Sequence, residues 1–459
     1  MPTDPATDRA RPPSVEAVLK GVRPSNNGAD TAALTAVVRD VIDAERVRIG
    51  DGAPPRDVPE LVNEVLRRLD DYRNAAVGSV INATGVIVHT NLGRAPWPAS
   101  VVTGATTVAR DYQLLELDRA TGRRGARARI AEDHLVALTG AEDAYVTNNN
   151  AAAVALAVGL AGRGGGVVVS RGELVEIGGG VRIPDIVRRA GARLIEVGTT
   201  NRTHAVDFEA PLASGRARVV LRVHPSNFTM SGFTEAPDPA AVAALAHAHG
   251  VIVIDDLGSG ALLDTGAYGL AHEPMPGERL AAGADLVTFS GDKLVGGPQA
   301  GLMVGRADLI ARIRRDPLAR AMRPDKVTLA AVALTLGLYR AGRATMDIPV
   351  WRIIAMPVAA LRQRADALAA QIGEAATVVD LRSTVGGGSL PGETLASVGI
   401  ALDGGRRSAT CLLASLRQDA HIVIGRIHDA RVVLDLRTVE PARDGDLAAA
   451  VERALAGGR

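Results

Sequence analysis

From about residue 80 the chain alternates short apolar runs with alanine-rich stretches of helical length. That alternation constrains the fold more than any other feature. The apolar runs are GGVVVS (165–170), RLIEVG (193–198), ARVVLRV (217–223), VIVIDD (251–256), DLVTFS (285–290) and GLMVG (301–305). Helical stretches such as DPAAVAALAHAHG (238–250) fit between them. Strands joined by helical crossovers run parallel, because each crossover returns the chain to the end of the sheet at which the previous strand began. The expected fold class is α/β with a mostly parallel sheet.

The ends of the chain read differently. Residues 1–13 are rich in proline and charge and are expected to be disordered. Ser14 and Thr31 are candidate helix caps, the second for a helix over 31–49. In DVPELVNEVLRRLDDYRN (57–74), Leu61, Val62, Val65, Leu66 and Leu69 fall on one helical stripe. No strand pattern interrupts these helices. Long helices are expected around 325–341 and 352–372, followed by a mixed α+β segment. Three domains result: a helical unit at 1–75, a large α/β domain at 76–345 and a small α+β domain at 346–459.

Composition removes several function classes. The formal charge is +1 and aromatic residues are 2%, so neither a polyanion-binding surface over the whole chain nor a base-stacking platform is expected. Residues 1–75 carry 11 Lys+Arg against 13 Asp+Glu and are no basic arm. No DNA partner is expected. The single cysteine, Cys411, excludes an internal disulfide and any CxxC pair; within ATCLLASL it reads as a buried helix thiol. No apolar leader opens the chain and no run of 18 apolar residues occurs, so a soluble cytoplasmic protein is expected. His247 and His249 are two residues apart on a helix, which puts them on different faces, and they read as surface residues rather than metal ligands.

Lysine usage points to chemistry. Of 52 Lys+Arg only Lys20, Lys293 and Lys326 are lysine. A surface cation can be either residue. An amine that must lose its proton and attack a carbonyl cannot be arginine, whose guanidinium stays protonated. Lys293, in SGDKLVGG, is therefore a candidate nucleophile.

Four features accompany it. Ser290 stands three residues earlier at the end of an expected strand. Asp255 and Asp256 end another strand. VTNNNAAAVALAV (146–158) leads a strand into a helix at Asn149, Asn150 and Ala151. GGPQAG (296–301) supplies a turn. Together they fit a pyridoxal 5'-phosphate site. The lysine would form the Schiff base, a strand-end aspartate would keep the pyridine nitrogen protonated, and the helix N-terminus with Ser290 would hold the phosphate. These residues leave open which aspartate faces the ring.

Longer motifs extend this reading. INATGVIVHTNLGRAPW (81–97), GAEDAYVTNNNAAAV (140–154), RGELVEIGG (171–179), VGTTNRTH (197–204), DLGSG (256–260) and FSGDKLVGGPQAG (289–301) resemble the bacterial selenocysteine synthases, the L-seryl-tRNA(Sec) selenium transferases. The resemblance runs from about residue 13 to 440. It implies the aspartate-aminotransferase-like fold of pyridoxal phosphate enzymes (fold type I), with a small helical N-terminal domain that binds tRNA and a homodecamer built as a pentamer of dimers. It implies that Lys293 is the Schiff-base lysine and Asp256 the pyridine partner. It also implies that Arg94, Asp292, Arg320 and Arg323 shape the active site. The implied activity converts seryl-tRNA(Sec) to selenocysteinyl-tRNA(Sec). The serine hydroxyl is eliminated to give aminoacrylyl-tRNA, and selenium from selenophosphate adds.

Without the resemblance, Arg320 and Arg323 read as a solvated helix face. The basic run RATGRRGARAR (119–129) reads equally as a solvated loop or a phosphate-facing surface. Arg426 lies where related folds often bind a substrate carboxylate, but a seryl ester carries no such charge. Rival activities are a pyridoxal phosphate lyase acting on a small amino acid or amino-sugar acid, and a non-enzymatic tRNA-binding protein. A lyase of this kind tends to lack the N-terminal helical unit.

Overall fold

The computed structural model describes residues 11–23, 31–125, 127, 129–177 and 180–456. Most of the expected disordered head, residues 1–10, and the Thr31 side chain proposed as a cap lie outside the described residues. The chain divides into two compact units, Met1–Val80 and Ile81–Arg459.

The first unit holds helices Val15–Val22, Thr31–Gly50 and Val58–Val77. Ser14 caps the first by accepting from the Ala17 N–H at 3.2 Å. Val18, Val22, Val38, Val41, Leu61 and Val65 form its core, with Val62, Leu66 and Leu69 packed at the edge. The stripe expected from the sequence is thus the buried one. Beside the core sits a fully buried carboxylate, Glu45. Arg48 and Arg56 both donate to it, and these bonds hold its pKa down at about 2.

In the second unit a seven-stranded sheet runs in the order Asp143–Thr147, Gly301–Gly305, Leu286–Ser290, Ile252–Gly258, Ala217–Val223, Gly166–Ser170, Arg193–Val197. Only Gly301–Gly305 runs antiparallel to its neighbours. All six strands expected from the sequence are present, and Asp143–Thr147 completes the sheet. Helices cover both faces. Val219, Leu221 and Val223 pack with helix Asn150–Gly159 on one side, and Val220 and Val253 pack with helix Pro239–Ala248 on the other. Parallel strands buried on both faces need apolar residues at nearly every position, which explains runs such as ARVVLRV.

The C-terminal part carries a five-stranded sheet that includes Ala376–Gly386, Thr394–Leu402 and Arg431–Asp435. Strand Val86–Val88, from the start of the unit, joins its edge. The helix expected over 352–372 is two helices, Pro349–Ala355 and Val358–Ile372. Pro357 divides them, because proline keeps the preceding Met356 extended (ψ 124°). Cys411 is exposed rather than buried. The apolar face of helix Ala409–Arg417 falls on Leu412 and Leu416, one residue further along. Among the described residues no helix is long and apolar enough to cross a membrane.

Candidate active site

Lys293 sits in the turn that leaves strand Leu286–Ser290. The turn is fixed from several sides. Gly291 N donates to Ala300 O, and Leu294 N to Ser259 O. The buried Tyr339 hydroxyl donates to the carbonyls of Leu294 and Val295 at 3.0 and 2.9 Å. The Trp351 indole N–H donates to Leu294 O at 2.8 Å. A lysine bears a long flexible stem, so an anchored turn is what gives its amine a defined position. Sequence reasoning missed Tyr339 and Trp351, because both lie in helices some 45 residues and more beyond the turn.

The amine is largely withdrawn from water. Burial pushes the Lys293 pKa below the ordinary lysine value, and the Arg94 charge adds to that, against the upward pull of Asp256 and Asp292. A depressed pKa supplies the free amine that attack on a carbonyl needs.

Asp255 and Asp256 are successive residues of one strand and so face opposite sides of the sheet. Asp256 faces helix Asn150–Gly159. Its Oδ1 accepts from Asn150 Nδ2 at 2.8 Å and from Thr288 Oγ1 at 3.1 Å. Burial raises its pKa, opposed by these two bonds and by the Lys293 charge. Asp255 faces the other way, with its carboxylate 3.7 Å from Arg279 Nε. It lines a separate cavity of about 410 Å³ with Glu173 and Arg222. Burial pushes Glu173 up to about 7.

Asn149 caps helix Asn150–Gly159 by accepting from Ala152 N at 2.9 Å. The N–H groups of Asn150 and Ala151 lie in the first turn, where no intrahelical acceptor exists. They are thus free to bind an anion. Ser290 is buried at its strand end.

Arg94 donates to Asp292 at 2.5 Å. Its φ of 64° is a left-handed conformation that costs a non-glycine residue on the order of 1–3 kcal/mol. The pair lines a cavity of about 290 Å³ together with Thr90, Gly297 and Gln299.

Lys293, Asp256, Asn150, Asp292 and Arg94 thus belong to one neighbourhood. Arg320 and Arg323 stand apart from it as exposed side chains. Arg323 lies 3.7 Å from Glu116, which also pairs with Arg124 and Arg127 of the basic run. Their loop does reach the anion-binding end of the site, since Asn148 N donates to Met322 O. Arg426 is committed to structure: it donates to Thr84 O at 2.6 Å and reaches the buried Asp435 at 3.4 Å. His247 bonds Asp285 at 3.0 Å, and His249 is exposed.

Known proteins place this arrangement. The description "L-seryl-tRNA selenium transferase" (SelA) matches residues 80–440. The L-seryl-tRNA(Sec) selenium transferase of Rhizobium meliloti (strain 1021) is 45% identical over 438 residues, 93% of each chain. That of Carboxydothermus hydrogenoformans is 41% identical over 436 residues, again 93% of each. Among solved structures, a D-glucosaminate-6-phosphate ammonia-lyase is similar with a TM-score of 0.61 at 21% identity, covering 84% of this chain and 98% of that one. That likeness speaks for a shared fold and carries no activity across. Identity above 40% over nearly the whole length of both chains is a different matter, and on it this chain belongs to the L-seryl-tRNA selenium transferase family.

Proposed function

We propose that the chain converts seryl-tRNA(Sec) to selenocysteinyl-tRNA(Sec), with pyridoxal 5'-phosphate as cofactor and selenophosphate as selenium donor. The observation that carries the reading is the half-buried Lys293 amine in one neighbourhood with the buried Asp256 carboxylate, in a chain of this family. The residues present fit the cofactor. Lys293 offers an amine for its aldehyde. Asp256 keeps Oδ2 for the ring nitrogen while Asn150 and Thr288 hold Oδ1. Asn150 N–H, Ala151 N–H and Ser290 suit its phosphate. When bound, the cofactor supplies an electron sink for charge at the seryl Cα.

The protein does the rest. The Lys293 amine would take the seryl Cα proton onto Nζ. Asp256 holds the ring-nitrogen proton. Arg94, oriented by Asp292, presents a guanidinium to an anionic donor in the adjoining cavity; Arg320 and Arg323, which stand outside that cavity, would meet an anionic substrate group only at the Asn148 end of the site. The β-hydroxyl would take a proton and leave as water; selenium would then add to the β-carbon, with the donor's P–Se bond cleaved by water and its phosphate released. A non-enzymatic tRNA-binding scaffold has no need of a half-buried amine with a depressed pKa. Incubation with seryl-tRNA(Sec) and selenophosphate, then amino-acid analysis of the tRNA, tests the reading; recovery of serine alone overturns it.

The helical unit at the N-terminus recognises the tRNA. Arg46, Arg48, Arg67 and Arg68 are the obvious candidates for backbone contact, and each is engaged within the unit. Arg48 is tied to the buried Glu45, and Arg67 and Arg68 both donate to the half-buried Glu64, Arg67 also reaching Asp71, whereas Arg46 holds the exposed Asp43. An exposed ion pair contributes little, roughly 0–1 kcal/mol, so Arg46 can exchange its carboxylate for a phosphate. The protein acts in the cytoplasm as a homodecamer. Exposed Tyr112, Leu114, Leu117 and Ile130 support a subunit contact on that face.

Asp256→Asn is expected to weaken cofactor binding and to slow Cα deprotonation by roughly 10²-fold. Solvent deuterium incorporation at the seryl Cα measures it, and an unchanged rate removes Asp256 from the role. Arg94→Ala takes a cation away from the Lys293 amine and so relieves one cause of its low pKa. The acid limb of cofactor capture is then expected to move to higher pH; a limb that stays put or moves down contradicts the placement of Arg94.

A further inference from the structure

The Lys293 amine is bounded by two glycines that have no assigned role. A Cβ built on Gly258 would lie 3.7 Å from Lys293 Nζ. A Cβ built on Gly388 would lie 2.5 Å from Nζ, 2.8 Å from Cε and 3.2 Å from Cδ. Gly258 belongs to the large sheet. Gly388 belongs to the glycine run that joins strands Ala376–Gly386 and Thr394–Leu402 of the C-terminal sheet.

We propose that Gly388 is a positioning residue for the reaction: the side chain it lacks is the space in which the Lys293 amine lies. The inference rests on the reading of Lys293 given above.

The run cannot easily retreat from the lysine. At its start Gly386 pairs with Val88, and a Cβ there would strike Val88 O at 2.4 Å. At its far end Glu393 accepts from Ala271 N at 3.0 Å. Between them Ser389 and Leu390 are buried. When a methyl group is added at Gly388, the partner free to move is therefore the flexible end of Lys293. The cost should fall on the position of the amine rather than on the stability of the fold. The C-terminal sheet thereby supplies one wall of the lysine pocket.

Gly388 has φ +87°, so any substitution there also strains the backbone. Gly392 provides a matched control. It lies in the same loop at φ +81°, and a Cβ on it would meet only Thr229 Cγ2 at 3.8 Å. Gly388→Ala and Gly392→Ala should lower Tm by similar amounts. Only Gly388→Ala should weaken capture of added pyridoxal phosphate, read from the visible absorbance of the lysine-bound form. A displacement of the amine by an ångström is expected to weaken it by about 10²-fold. At saturating cofactor kcat should fall while KM for seryl-tRNA holds. Equal capture by the two variants, whether both retained or both lost, overturns the proposal. Should either alanine variant fail to fold, Gly388→Asn and Gly392→Asn repeat the comparison, because asparagine enters the left-handed region more readily. Lys293→Arg keeps the two readings apart. If the wild-type absorbance survives in that variant, the lysine reading is wrong and this inference falls with it. If the absorbance is lost there but Gly388→Ala matches Gly392→Ala, only the Gly388 inference is wrong.

Discussion

Lys293→Arg is expected to leave a folded protein that neither holds pyridoxal phosphate covalently nor turns over. The charge is kept, but a guanidinium does not give up its proton near neutral pH. The native amine is placed for the opposite behaviour, since burial drives its pKa down despite the carboxylates of Asp256, Asp292 and Glu273. Loss of proton transfer at Cα alone is worth roughly 10²–10⁴-fold, and loss of the covalent link adds to it. The turn should survive, because Tyr339 and Trp351 grip its carbonyls and not the lysine stem. Three measurements decide the matter: the visible absorbance, turnover of seryl-tRNA(Sec), and Tm. A variant that keeps the absorbance and reacts at the wild-type rate sinks the assignment. A variant that has simply unfolded is recognised by its Tm.

Removal of residues 1–80 should separate substrate selection from chemistry. The helical unit has a core of its own, centred on Val18, Val38, Val41, Leu61 and Val65, and the α/β unit has separate cores on both faces of its sheet. The remaining chain is therefore expected to fold and to capture cofactor with normal absorbance. Affinity for tRNA(Sec) should fall by about tenfold or more, as expected when several phosphate contacts are lost. Its preference over ordinary tRNA(Ser) should shrink as well. Residues 1–75 have a small net negative charge, so bulk electrostatics does not supply that preference, and a shape-reading contact is what remains. Binding curves for the two tRNAs, measured at one salt concentration, test this. A truncated protein that still selects tRNA(Sec) as well as the full chain assigns the unit to another task.

Several parts of the molecule were legible before any coordinates. The sheet strands are runs buried on both faces, and burial on both faces leaves an unbroken apolar signature. Ser14 capped the helix expected of it, and Lys293 stood out because lysine is nearly absent from the chain. Other readings failed for local reasons. The helical periodicity over 352–372 continues across Pro357, and the structure breaks there. The apolar character around Cys411 predicts burial, whereas a one-residue rotation on the helix turns it to solvent.

What the sequence determined by itself was the order of strands and helices and, through the scarcity of lysine, which amine to propose as the reactive one. Both follow from local rules: residue-by-residue burial sets the periodicity, and side-chain chemistry sets which groups can act. What only the tertiary structure decided was every relation between distant residues. Asp255 and Asp256 are equivalent in sequence, and the pairing of their strand gives one to helix Asn150–Gly159 and the other to Arg279. Tyr339 and Trp351 hold the lysine turn, and Gly388 borders the lysine amine from a strand connection 95 residues away. No local pattern encodes such contacts, because they arise where separately formed elements meet, and the positions of those elements are set by how their buried faces pack.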